Sequence, residues 1–352
     1  MTTRRDFLGQ TAVTAGLFFT GCSLAPLANA QTQRRRQVVV NGKRVKTIDV
    51  HAHVGFPEAM ELMGLKFGPQ LLTTTMQDRI KAMDEQGIDM EALTINAYWY
   101  TANRDDAEKL IEVQNNKLAE IVAKQPDRFV ALASVALQHP DLAAQQLEHA
   151  VKKLGLRGAG VGGSVAGMEL SDPKFHPFWK KAEELGVLVF IHPIGTAELK
   201  SRLQGNGGLE NTIGNPLETT LALSHLIFEG TLDRFPGLKI CAAHGGGFLP
   251  SYANRSDAVL RTFPNRVGPM PKKQPTQYLR DGQLFFDTIV FTPEAMRHLI
   301  AEVGAGQVMV GTDYPFPWTS TEVDLVMNTP GLGDAERVAI LGGTAARLMG
   351  IK

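Results

Sequence analysis

Short runs of apolar and β-branched residues recur along the chain at 46–50, 90–96, 129–135, 156–161, 187–191, 238–243, 283–287 and 307–311. Each has the length of a buried strand. Between them the apolar positions take a helical period. "MQDRIKAMDEQGI" passes through Gly87, and "DDAEKLIEVQNNKLAEIVAKQPDRF" breaks at Pro126. "DLAAQQLEHAVKKLGL" and "FHPFWKKAEELGV" each run to a glycine, the residue that most readily leaves a helix in the left-handed conformation. Strands alternating with helices eight times predict an α/β fold, a single-domain (β/α)8 TIM barrel. The rival, a doubly wound open sheet, lacks its mark, because no glycine-rich dinucleotide turn follows the first run. Two longer connections interrupt the alternation, at 196–215 (rich in Gly and Asn) and 264–277 (rich in Pro and Lys). Both are expected to cover the active end of the barrel.

The length of 352 residues suits one such barrel. The 36 Lys and Arg balance 36 Asp and Glu, which gives no basis for a nucleic-acid or acidic-membrane partner. The first residues read differently from the rest. "TRRDFLG" carries twin arginines, "TAVTAGLFFTG" is weakly apolar, and "ANA" ends at Ala30 as a small-residue cleavage site. This order predicts a twin-arginine export signal over residues 1–30 and a periplasmic protein. "FTGC" ending at Cys22 approximates a lipoprotein box, so lipid anchoring is the alternative to a soluble form. A polar leader is expected over 31–45 and the barrel over 46–352. No later segment reaches 18 consecutive apolar residues, so no membrane span is expected. Cleavage after Ala30 would leave Cys241 as the single cysteine, read as a small core residue.

Candidate chemistry gathers at the strand ends. In "VKTIDVHAHVGFPE" the first run ends in His51 and His53. Residues i and i+2 of a strand share a face, and two imidazoles side by side can cradle a divalent metal. A His-x-His pair alone is common by chance. Three further strand ends add to it: His192 in "VLVFIHP", His244 in "LKICAAHGGG" and Asp313 in "QVMVGTDYPFP". Each titratable group directly follows an apolar strand, where barrel enzymes place their chemistry. A buried His or Asp without a partner is costly, and a shared ion satisfies all of them at once. Asp287 in "LFFDTIV" is expected to orient a ligand, with a satisfied core carboxylate as the alternative. His139, His149, His176, His225 and His298 fall in helical segments and read as structural. Tyr98, Trp99, Phe316 and Trp318 follow strands and could line an aromatic pocket.

These motifs, from "DVHAH" through "MDEQGID", "DRFVALASVALQ", "HP", "AAHGGG" and "GTDYPFP", span nearly the whole chain after the signal. They resemble the amidohydrolase superfamily, and within it the aminocarboxymuconate-semialdehyde decarboxylase branch. The resemblance implies one divalent metal, zinc first and manganese as the alternative, held by His51, His53, His192 and Asp313. It implies His244 as the group that handles protons beside the metal. Binuclear relatives bridge two ions with a lysine at the end of strand four; here that segment reads "GLRGAGVGG" with no such lysine. The resemblance further implies that Arg255, eleven residues after His244, binds the substrate carboxylate across a homodimer interface. Guanidinium geometry suits that task; a solvated arginine of an outer helix is the plain alternative. A second carboxylate-binding arginine of the branch is replaced near Lys66 or Phe67, which argues against the namesake dicarboxylate as substrate.

The expected function is therefore metal-dependent, non-oxidative decarboxylation of an aromatic or unsaturated, hydroxylated carboxylic acid, with His244 or Asp313 moving the proton. One site can support two chemistries, so the alternative is a hydrolase of a lactone, ester or amide. A barrel that lost catalysis and kept a binding role is a third reading, and the intact ligand set speaks against it.

Overall fold

The structure, a computed structural model, describes residues 35–66, 71, 74–266, 268–318 and 321–352. The export signal, Cys22, residues 31–34 and Phe67 lie outside them. The described residues form eight parallel barrel strands: β1 (Ile48–His53), β2 (Met90–Thr94), β3 (Phe129–Ala131), β4 (Gly158–Gly162), β5 (Leu188–His192), β6 (Lys239–Ala242), β7 (Leu284–Asp287) and β8 (Val308–Met309). Continuous ladders run β1–β2–β3 and β4–β5–β6–β7–β8. Two seams close the ring. Ala133 pairs with Ala159, and its backbone bonds both Gly158 and Gly160. On the other side Val50 N donates to Val310 O and Asp313 N to His51 O, both at 2.8 Å. The sheet is thus the expected (β/α)8 barrel.

Its interior is filled by alternate residues of the strands, among them Val50, Ala92, Leu132, Phe190, Cys241, Phe285 and Met309. Cys241 is a free, buried thiol in this set. Ala345, Leu348 and Met349 from the last helix close the set at one end. The glycines of β4 are required by space. A Cβ on Gly158 would lie 2.0 Å from the Leu188 carbonyl oxygen, which is backbone and cannot yield.

β1 departs from regular alternation. Its ladder to β2 shifts register between Asp49 and Ala52. Val50 packs in the interior set, yet the His51 ring lies 4.9 Å from Phe190 of that same set. The bulge thus turns consecutive residues inward, and it re-aims His51 and His53 onto the barrel axis. The strand expected to end at residue 50 extends through His53 for this reason.

Several helix limits follow their caps. The helix Met76–Gln86 starts at a Thr75–Asp78 capping box and ends at Gly87, φ +80°. Gly186, φ +62°, ends His176–Leu185. The helix Pro140–Lys152 stops short of its expected glycine, Gly155. Residues 35–45, read as a polar leader, belong to the same compact unit as the barrel. Val39–Val40 and Lys43–Arg44 pair as a hairpin through Asn41 and Gly42, both at positive φ. That is the primed turn an Asn-Gly pair favours, and it buries Val38, Val40 and Val45.

The two long connections part ways. The first follows β5, turns through Ala197–Leu199 and Glu210–Gly214, and enters the helix Asn215–Phe228 on the active rim. The second does not cover that rim. It follows a helix, Leu249–Thr262, rather than a strand, so it lies at the opposite end of the barrel. There Tyr278 Oη donates to Asp233 at 2.7 Å and Thr276 Oγ1 to Asp257 at 2.7 Å. Among the described residues no helix is long and apolar enough to cross a membrane.

Candidate metal centre

The ends of β1 and β5 and the segment after β8 bring His51, His53, His192 and Asp313 together, with one ligand atom from each within 4.8 Å of the others. The hydrogen bonds fix which atoms those are. His51 Nδ1 donates to Asp287 Oδ2 at 2.7 Å, so its Nε2 carries a lone pair in the neutral ring. His192 Nδ1 donates to the Pro193 carbonyl at 2.8 Å, which leaves Nε2 free in the same way. His53 Nε2 lies 2.9 Å from His51 Nε2. Asp313 Oδ1 sits 2.8 Å from His53 Nε2 and 3.2 Å from His51 Nε2. It receives no aligned hydrogen bond among the described residues. A proton on His53 could serve one of these acceptors but not all of them. Lone pairs converging in this way fit a cation.

The charge count points the same way. Asp49, Glu91, Asp287, Asp313 and Glu322 are all buried around the cluster, and Arg79 is the one buried Lys or Arg among the described residues. Burial and the nearby Glu91 charge push Asp49 up to about 7, against hydrogen bonds from Thr312 and His51. Burial and Asp287 push Glu322 up to about 8. Burial opposes a charged His51, but Asp313 and Asp287 prevail and hold it up to about 10. Burial and its neighbouring imidazoles push His192 well down, and burial pushes His53 to about 4. Two carboxylates that stay charged, Asp287 and Asp313, thus flank His51, and a divalent ion at its Nε2 would replace the proton they favour there, beside the neutral rings of His53 and His192. A zinc-type or manganese-type ion fits the cluster; β4 ends at Gly162, with no lysine to bridge a second one.

Asp287 was expected to orient a ligand, and its place agrees: besides His51 it accepts His244 N (2.9 Å), Gly245 N (2.8 Å) and Ile289 N (3.1 Å). His244 stands opposite, its Nε2 4.0 Å from Asp313 Oδ2 and its ring 5.4 Å from those of His51 and His192. Asp313 Oδ2 also accepts Trp318 Nε1–H at 2.7 Å. Both His244 (φ +56°) and Asp313 (φ +59°) occupy the left-handed region, a strained conformation common where function demands it. Arg255 is not brought to this cluster. It is exposed on the helix Leu249–Thr262 and does not line the cavity of its own chain. His139, His149, His176, His225 and His298 are likewise absent from the cavity.

A cavity of about 400 Å3 opens above the cluster, lined in part by His244, Asn96, Tyr98, Phe316 and Trp318. Lys66 is its one Lys or Arg among the described residues. Sequence reasoning missed three supports. Arg79 donates to Glu91 at 2.7 Å and to the His53 carbonyl, and its guanidinium stacks 4.7 Å from the Tyr314 ring. Asp49 accepts from Thr312 Oγ1 at 2.5 Å and from His51 N at 2.9 Å, which ties β1 to the Asp313 segment. Glu218 accepts Ile194 N and Gly195 N, each at 2.6 Å, and so holds the chain leaving His192. An acid inside an apolar helical stretch, as at Glu218, was the available signal.

The model of the amidohydrolase family matches residues 48–351. The chain is 32% identical over 278 residues to the 2-amino-3-carboxymuconate-6-semialdehyde decarboxylase of Dictyostelium discoideum, covering 78% of this chain and 76% of that protein. The solved structure of 5-carboxyvanillate decarboxylase from Sphingomonas paucimobilis superposes with TM-score 0.80 at 26% identity, over 88% of this chain and 100% of that one. The dihydroxybenzoic acid decarboxylase of Polaromonas sp. JS666, solved with bound manganese and 2-nitroresorcinol, gives TM-score 0.76 at 28% identity, over 87% and 97%.

Replacing His192 by Ala is predicted to cut metal content, measured by elemental analysis, from about one ion per chain to near zero. Asp287→Asn is predicted to weaken binding roughly 10- to 100-fold. Full metal content in His192→Ala would contradict the ligand assignment. The barrel, its cage of three imidazoles and one carboxylate, and the match over residues 48–351 together establish that the chain belongs to the amidohydrolase family.

Proposed function

We propose that the chain is a metal-dependent, non-oxidative decarboxylase of an aromatic or unsaturated, hydroxylated carboxylic acid. The observation that carries this reading is the mononuclear His/Asp cage facing His244, in a chain whose relatives are decarboxylases over three quarters of its length. The ion, zinc by its nitrogen-rich donor set or manganese as in the Polaromonas relative, would supply Lewis-acid polarisation of a substrate oxygen. The chain supplies the rest. Phe316 and Tyr98 wall the cavity and suit a planar ring. Lys66 offers the acid a cation at the mouth. As the bond to the carboxylate carbon breaks, carbon dioxide leaves and the electron pair stays on the ring carbon. The His244–Asp313 pair delivers a proton there.

Arg255 cannot act in its own cavity, so its role as a carboxylate clamp requires a homodimer. The exposed Tyr252, one turn before it on the same helix, supplies apolar surface for that contact. Residues 1–30 support export by the twin-arginine route to the periplasm, with a lipid at Cys22 as the variant form.

Metal-loaded protein is predicted to release carbon dioxide from at least one member of a panel of hydroxybenzoates and related unsaturated acids. His244→Ala should retain its metal and lose turnover by roughly 100-fold or more. No release from protein holding one ion per chain would sink the decarboxylase reading and turn the search to lactones and esters. Mixed His244→Ala and Arg255→Ala chains should regain partial activity; none after proven subunit exchange would remove the shared site. Lysines in place of Arg4 and Arg5 should keep the protein in the cytoplasm, and undiminished export would refute the signal.

A further inference from the structure

Trp318 lines the cavity above the metal cage, and it is the one tryptophan at the surface. Of the three in the chain, Trp99 and Trp179 are fully buried, whereas Trp318 is 45% exposed. An indole so open to solvent has water for its N–H. Here Nε1 donates instead, at 2.7 Å, to Oδ2 of Asp313, a buried side chain that supplies a ligand atom to the cage. The intervening turn makes this contact. Phe316 N donates to Asp313 O at 3.0 Å and Trp318 N to Phe316 O at 2.9 Å, so the chain folds back and brings residue 318 over residue 313.

The bond sorts the two oxygens of Asp313. Oδ1 lies 2.8 Å from His53 Nε2 and 3.2 Å from His51 Nε2, whereas Oδ2 faces Trp318 and, at 4.0 Å, His244. A carboxylate turns easily about its Cβ–Cγ bond and can give an ion one oxygen or both. A hydrogen bond to a charged oxygen is among the stronger ones, and this one holds that rotation from the solvent side. An ion that meets one oxygen of Asp313 keeps a position for substrate that a second oxygen would fill.

A second ring holds Trp318 in turn. Phe291 lies four residues after Asp287, in the segment that leaves β7. Its ring centroid is 6.3 Å from that of Trp318, its one ring contact among the described residues. Phe291 is 54% exposed and sits at φ +66°. A bulky side chain in the left-handed region is strained, and so exposed a ring recovers little of that cost by burial. What the conformation secures is the contact with Trp318. The segments that follow Asp287 and Asp313 thus meet through this aromatic pair.

We infer that Trp318 is a positioning residue: its indole N–H sets the rotation of the Asp313 carboxylate so that Oδ1 alone meets the metal ion, and Phe291 holds the indole in place. The inference rests on the metal cage and holds for either reaction that the cage can support.

Cobalt(II) reads the coordination shell directly, because its visible absorption weakens as the number of ligands rises. Wild type, Trp318→Phe, Phe291→Ala and Phe291→Tyr are loaded to one cobalt per chain, checked by elemental analysis. Trp318→Phe keeps a ring and loses the donor. Its visible absorbance should fall, and its zinc affinity should drop roughly 10-fold. Phe291→Ala should move the spectrum in the same direction, and Phe291→Tyr should restore it. A role confined to packing would lower stability and leave the spectrum alone. A Trp318→Phe spectrum identical to that of wild type, at equal metal content, overturns the inference. Titration of wild type with zinc alone depends on no variant folding. The acrylamide-quenched emission, which belongs to Trp318, should change in step with zinc binding measured by calorimetry. Bound zinc with unchanged emission also overturns the inference, and absence of zinc binding removes the cage and the inference together.

Discussion

The carboxylate of Asp287 is the contact on which the site depends. It is fully buried, and its two oxygens receive His51 Nδ1 and the backbone N–H groups of His244, Gly245 and Ile289. Burial pushes its pKa up, but the hydrogen bond and ring of His51, the His244 ring and the Gly245 N–H outweigh that and lower it, so it stays charged. By accepting the His51 Nδ1–H hydrogen bond it leaves Nε2 as a ligand atom. By gripping His244 N it sets the backbone of the residue proposed to move the proton. One carboxylate at the end of β7 therefore orients both the metal cage and the group opposite it.

The same economy runs through the rest of the rim. Arg79 holds the His53 carbonyl from one side, and Asp49 joins His51 to Thr312 from the other. Asp313 divides its oxygens, Oδ1 toward the imidazoles and Oδ2 toward Trp318 and His244. Glu218 braces the segment after His192. Buried polar groups thus hold the His51 ring, the His53 backbone and the segment after His192, and the half-exposed Trp318 holds Asp313. Rigid placement of this kind is how a metal site keeps its geometry before the ion arrives.

The fold and the ligands were legible because their signals are local. A buried strand writes an apolar run, and a ligand at its end writes one polar residue after that run. All eight strands follow from this pattern, as do the five strand-end candidates; the resemblance to the family separated His244 from the cluster of His51, His53, His192 and Asp313. What was not legible depends on contacts between distant segments. The bulge at Asp49–Ala52 leaves no mark in the period of β1. The Arg79–Glu91 pair joins a helix to a strand, and either residue alone reads as surface charge. The side of the barrel reached by residues 264–277 depends on which element they follow, and loop composition does not carry that information. The Asn41-Gly42 hairpin was written plainly but lay hidden in a run of basic residues.

The central claim is that one divalent ion completes the cage. The most direct measurement is anomalous X-ray diffraction from crystals of the manganese- or zinc-loaded protein. The account predicts a single peak per chain, about 2.0–2.3 Å from Nε2 of His51, His53 and His192 and from Asp313 Oδ1, with His244 outside bonding range. Two peaks in the cage, or one peak bound by His244 in place of one of the four, would contradict it.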